Sequence, residues 1–105
     1  MKLIKLLAAT TAVAALLAAP AYAQTRIALV VKSLGNGFFD AANKGAQEAA
    51  AELGDVEVIY TGPTAATAEA QIEVVNSLIA QQVDAIAISA NDPDALVPAL
   101  QRAME

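Results

Sequence analysis

Two short stretches of this sequence carry side chains able to hold a small polar molecule: Lys32-Ser33-Leu34-Gly35-Asn36-Gly37-Phe38-Phe39 and Ser89-Ala90-Asn91-Asp92-Pro93-Asp94. The Lys32 ammonium can donate up to three hydrogen bonds, while the Asn36 amide and the Ser89 hydroxyl each donate and accept. Phe38 and Phe39 open a helical pattern, where neighbours point about 100° apart, so only one ring can face a sheet and the other is left for the loop side. A ring covering about 50 Å² of apolar surface on a hydroxylated ligand contributes about 1 kcal/mol. Each of these residues also has a plainer reading. Lys32 reads equally as a solvated strand end, Asn36 as a loop or cap residue, the two rings as packing at a helix start, and Ser89 as a strand terminus.

Covalent and phosphate chemistry find less support. Gly35-x-Gly37 invites comparison with a dinucleotide fingerprint, but the third glycine would fall at Asp40, an anion where a pyrophosphate has to approach. No glycine run leads into Lys-Ser or Lys-Thr, the sequence has no histidine and no cysteine, and no Gly-x-Ser-x-Gly elbow occurs. Asp92 and Asp94 could form an acid pair, yet Asp92 before Pro93 reads more simply as a helix cap, with Asp94 as a first-turn acid. Neither a cofactor nor a metal is implied, and no catalytic residue is expected.

The elements that must position these loops follow from the apolar pattern. Arg26 to Lys32 is a nearly continuous branched-apolar run, as in a strand buried on both faces of a parallel sheet. From Phe38 to Leu53, the residues Phe39, Ala42, Ala46, Ala49 and Leu53 recur at helical spacing, and Gly54 stands where a helix ends. Asp40 with Lys44 and Lys44 with Glu48 are spaced as i,i+4 ion pairs. Val56 to Thr61 is a second strand, closed by Gly62-Pro63, and Ala68, Ile72, Val75 and Ile79 mark a second helix. Asp84 to Ser89 is a third strand; Asp92 caps a third helix, with Pro93 at its first position and Leu96, Leu100 and Ala103 along its stripe. Alternating strands and helices with short loops specify right-handed βαβ crossovers, an α/β fold with a parallel sheet. Ligands of such sheets sit beyond the carboxyl ends of the strands, at the point where the winding reverses. For the order 2-1-3 that crevice lies between strands one and three, beside Lys32 to Phe39 and Ser89 to Asp92.

Lys2 and Lys5, an apolar run from Leu6 to Ala19, Pro20 and the triplet Ala21-Tyr22-Ala23 have the order of a secretory signal peptide, with cleavage expected after Ala23. The run is shorter than the roughly 20 residues that span a bilayer. Domain boundaries are therefore expected at 1–23 for the leader and 24–105 for the folded part. Without the leader, four basic and eleven acidic residues remain, a net charge of −7. Such a balance argues against a nucleic-acid partner. Ala95 to Glu105 reads as helix without a stop signal, so the sequence is expected to be the first part of a longer protein.

The stretch IALVVKSLGNGFFDAANKGAQEAAAELG, with IYTGPT and QIEVVNSLIAQQVDAIAISANDPDALVPAL, resembles the type I periplasmic sugar-binding proteins of ABC transporters, the ribose-binding-like class. Lys32, the Tyr60 to Thr64 stretch and the Ser89 to Asp94 turn are most similar to rhamnose-binding and autoinducer-2-binding members, and Asn36 between two glycines to the rhamnose type. The resemblance implies the N-terminal lobe of a two-lobe protein in which Lys32, Asn36, Phe38, Phe39 and Ser89 line the sugar site. It also implies hinge closure over the sugar, periplasmic location, a monomer when complete, and ABC permease subunits of the inner membrane as partners. Autoinducer-2 or another pentose or hexose is the alternative ligand, and an exported α/β enzyme the alternative from another class. Sugar-responsive repressors share the fold but carry a helix-turn-helix where this sequence has its leader.

Overall fold

A computed structural model describes residues 23–105. The expected leader, residues 1–23, lies outside the described residues except for Ala23. Six elements alternate: β1 (Thr25–Val30), α1 (Gly37–Leu53), β2 (Val56–Thr61), α2 (Ala68–Ala80), β3 (Ala85–Ile88) and α3 (Pro93–Ala103). The strands pair in parallel in the order β2-β1-β3, with Ala28 beside Ile59 and Ile86. That is the α/β order expected from the sequence.

Burial is uneven across the sheet. Ala28 and Val30 on β1 are fully buried against Leu78 of α2, with Ile86 and Ile88 packed beside them, and Leu96 and Ala99 of α3 join Val75 below. On the opposite face Ile27 and Leu29 are half-buried, and Ala85 and Ala87 of β3 are exposed. Among the described residues β1 is thus fully buried on one face and half-buried on the other, short of the burial on both faces that its apolar run suggests. Helix α1 packs mainly over β2 and leaves the other half of that face open.

The stripe expected on α1 is also rotated. Phe39, Asn43, Ala46 and Ala50 turn inward, while Ala42 and Ala49 are exposed and Leu53 is 65% exposed. The helix is alanine-rich on every side, so its periodicity does not select a face; the side chains that reach β2 do. Gln47, for example, donates through Nε2 to Val58 O at 3.1 Å. The i,i+4 ion pairs expected around Lys44 are not formed, since among the described residues the ion pair found is Arg26 with Glu57 at 3.7 Å. Exposed pairs of long side chains gain too little to hold one geometry.

Strand ends are trimmed relative to the sequence pattern. β1 stops at Val30, so Lys32 stands beyond it, and β3 begins at Ala85 after Asp84. Asp84 still belongs to the sheet's foot: its carboxylate accepts from Arg26 N at 2.8 Å, and its own N–H donates to Arg26 O at 2.9 Å.

Candidate functional site

The crevice is built where β1 and β3 end. Lys32 and Ser89 each follow the last residue pair of the ladder, Val30 with Ile88, and Ser89 N extends it by donating to Val30 O at 2.9 Å. Lys32 is exposed, and among the described residues its ammonium has no hydrogen-bond or ion-pair partner. Ser89 is half-buried, with its backbone bonded and its hydroxyl uncommitted among the described residues. The polar groups of these two side chains are thus without partners among the described residues.

The loop between them and α1 is fixed by its backbone. Gly35 sits at φ 82°, a left-handed turn that other residues resist. Leu34 N donates to Pro63 O at 2.9 Å, hanging the loop from the segment that follows β2. That segment lies close to β1 at Gly62, where a Cβ would stand 2.8 Å from Val31 Cγ2 and 3.0 Å from Val31 O. Asn36 turns out to cap α1: its Oδ1 accepts from Phe38 N at 3.0 Å. The capping reading of Asn36 is thus realised, and its Nδ2 is what remains to donate to a ligand.

Phe38 and Phe39 meet edge to face, with ring centroids 5.2 Å apart and planes at 85°. Phe39 is half-buried and Phe38 is 76% exposed, so the two rings divide as the helix geometry requires. An exposed ring on the loop that also carries Lys32 suits a ligand with both CH and OH surface.

Tyr60, next to last in β2, donates to Asp40 Oδ1 at 3.0 Å, tying β2 to the first turn of α1. Partial burial raises the Tyr60 pKa above 10.0, and the hydrogen bond to Asp40 and its charge raise it further. A raised tyrosine pKa means that this contribution to stability is present below pH 10.0 and is lost as pH climbs through the raised value. Ultraviolet titration of the protein beside Tyr60→Phe isolates this group. Its midpoint should lie above 10.0 and move down in Asp40→Asn. A midpoint unchanged by that substitution would remove Asp40 as a cause.

The sequence reading missed Gln71. This residue of α2 is 0% exposed, and its amide reaches three backbone groups of the crevice: Nε2 donates to Val31 O at 3.1 Å and to Ser89 O at 2.8 Å, while Oε1 accepts from Asn91 N at 2.8 Å. A polar residue between Ala68 and Val75, on the inward stripe of α2, was the available signal. Asn91 adds an outer tie, donating through Nδ2 to Lys32 O at 3.0 Å and to Thr67 O at 3.3 Å. Asp92 accepts from Asp94 N and Ala95 N, so it caps α3 rather than pairing with Asp94.

A second concavity lies elsewhere. It is a groove of about 750 Å³ along the open edge of β3 and the end of α3, lined by Val83, Ala85, Ile86, Leu100 and Met104 among others. It presents mainly apolar side chains and a strand edge, whereas the free polar groups and rings stand at the carboxyl ends of the strands. We therefore place the candidate site at the crevice. No group of acidic, histidine or cysteine residues suited to a metal ion occurs among the described residues.

A family model described as a periplasmic binding protein domain matches residues 27–105. The D-ribose/D-allose-binding protein of Pseudomonas aeruginosa is 39% identical over 82 residues, covering 76% of this chain and 26% of that protein. An ABC transporter solute-binding protein of Clostridium phytofermentas with bound L-rhamnose is 39% identical, with a TM-score of 0.72 over 80% of this chain and 26% of its own. LsrB of Clostridium saccharobutylicum in complex with AI-2 is 35% identical, with a TM-score of 0.72 over 75% of this chain and 24% of its own. A solute-binding protein of Agrobacterium vitis bound with α-D-tagatopyranose is 33% identical, with a TM-score of 0.74 over 77% of this chain and 27% of its own. The chain thus spans about a quarter of the length of the relatives it matches.

Proposed function

This chain belongs to the periplasmic binding protein domain family, and from that premise we propose that it is part of the sugar-binding component of an ABC importer, with rhamnose as its ligand. Residues 24–105 form the first part of its N-terminal lobe, and residues 1–23 form a cleaved leader that delivers it to the periplasm. The carrying observation is the crevice itself: the Lys32 ammonium and Ser89 hydroxyl, both uncommitted among the described residues, follow the ends of β1 and β3 at the winding reversal of a parallel sheet, and the loop from Lys32 leads to an exposed Phe38. Lys32 and the Nδ2 of Asn36 donate to sugar oxygens, Ser89 bonds a hydroxyl, and Phe38 and Phe39 wall the ring. The open edge of β3 and the groove beside it leave room for a further strand, in keeping with relatives about four times as long. A second lobe closes over the sugar by a hinge, and permease subunits read the closed form.

The relatives carry different ligands on similar frames, among them L-rhamnose and AI-2. Titration calorimetry of the complete protein against L-rhamnose, D-ribose, D-allose and AI-2 separates these readings. Rhamnose is expected to bind with a Kd near 1 μM, about −8 kcal/mol. Preference for AI-2 would replace the nutrient reading with a signal-binding one, and preference for another sugar would change the ligand alone. Failure to bind any of the four would overturn the sugar reading.

A further inference from the structure

We propose that Gln71 is the positioning residue of this crevice: its side-chain amide sets the gap between the ends of β1 and β3 and, with Asn91, holds the backbones of Lys32 and Ser89 in place. This inference rests on the sugar-binding reading above and adds the device that shapes the site.

The ladder between β1 and β3 ends at Val30 and Ile88, with one last bond from Ser89 N to Val30 O. Past that point the carbonyls of Val31 and Ser89 are turned toward each other's vicinity with no strand N–H left to satisfy them. A primary amide has two N–H groups on one nitrogen, and Gln71 Nε2 gives them to these two carbonyls, at 3.1 and 2.8 Å. Its Oε1 accepts from Asn91 N, so one side chain satisfies three backbone groups from two loops. Gln71 is 0% exposed and is the buried polar residue of the described core. Every buried side-chain polar atom among the described residues is partnered, which makes the arrangement intolerant of drift. Widening the gap would stretch both Nε2 bonds together. Asn91 repeats the tie nearer the surface, from Lys32 O to Thr67 O at the cap of α2. The ligand-facing groups of Lys32 and Ser89 thus hang from backbones held by a helix lying beneath them. Directional hydrogen bonding to a sugar tolerates displacements of only about 0.5 Å.

The test uses the complete protein, wild type beside Gln71→Met, Asn91→Ala and Leu78→Ala. Met keeps the length of the side chain and removes its hydrogen bonds. Leu78 is 2% exposed and lies two helical turns along α2, away from the crevice, so Leu78→Ala costs stability without touching the tie. Affinity for L-rhamnose, D-ribose and D-allose is measured at a temperature where circular dichroism shows each variant folded, together with amide hydrogen exchange. Gln71→Met and Asn91→Ala should each lose about tenfold or more in affinity. Exchange should quicken at residues 31–36 and 89–92. Leu78→Ala should lower the unfolding temperature and keep its affinity. Should Gln71→Met fail to fold, the half-buried Asn91 carries the test. Wild-type affinity in the folded Gln71 and Asn91 variants would overturn the proposal. If the wild type bound none of the sugars, the sugar reading would fall, and unchanged exchange in both segments would then overturn the positioning role as well.

Discussion

Replacing Lys32 by methionine in the complete protein should weaken sugar binding by about 10-fold to 150-fold. The lysine stands one residue beyond a fully buried pair, Val30 and Val31, and its backbone carbonyl is held by Asn91. The stem's origin is therefore fixed while its ammonium is exposed and has no partner among the described residues. Under the proposed sugar-binding reading that ammonium donates to sugar oxygens in a closed cleft, and a hydrogen bond involving a charged group contributes about 1.5–3 kcal/mol. Methionine keeps an unbranched stem of similar bulk and leaves those oxygens unpaired. Stability without sugar should change little, since no hydrogen bond of the described fold uses the ammonium. Paired titration and thermal unfolding check both halves of the expectation. Equal affinity in the two proteins would return Lys32 to the reading of a solvated strand end and remove it from the site.

Gly62→Ala should destabilise the protein by about 1–3 kcal/mol, the usual cost of forcing a methyl group into filled space. The new Cβ would stand 2.8 Å from Val31 Cγ2 and 3.0 Å from Val31 O, and Val31 is 1% exposed. A side-chain tip could rotate aside, but the carbonyl belongs to the backbone entering the crevice. Relief therefore means moving the Gly62-Pro63 segment outward. Two bonds resist that movement, Val31 N to Thr61 O at 3.0 Å and Leu34 N to Pro63 O at 2.9 Å. Because the second bond suspends the loop of Lys32 to Asn36, sugar affinity should fall along with stability. Gly45→Ala is the internal comparison: it lies inside α1 with nothing within 4 Å of its added Cβ. There the loss of backbone freedom in the unfolded chain and the better helix propensity should stabilise by up to about 1 kcal/mol. Denaturant midpoints for both variants should shift in opposite directions. A Gly62→Ala midpoint at or above wild type would show that the close approach to Val31 is not a constraint.

The sequence by itself determined the order and type of the six elements, because period-two and period-3.6 patterns are local and each switch is marked by glycine, proline or a capping residue. Val56–Thr61 matches its observed bounds, and Asp92 before Pro93 caps α3 as its residue types demand. It also determined where a crevice should lie, since right-handed crossovers leave few arrangements for three parallel strands. Local pattern was silent where several elements meet. Which alanines of α1 turn inward depended on what β2 offers opposite them, because an alanine-rich helix has no single apolar face. The depth of β1 depended on how far α1 reaches across the sheet. Whether Asn36 caps or stays free was decided by the backbone of Phe38 and its neighbours. Gln71 depended most on tertiary structure: its partners lie 40 and 18 residues away along the chain, and only packing brings Val31 O and Ser89 O within reach of one amide. A buried polar side chain is specified by the backbone groups left unsatisfied around it, and those exist only once the strands have paired and parted.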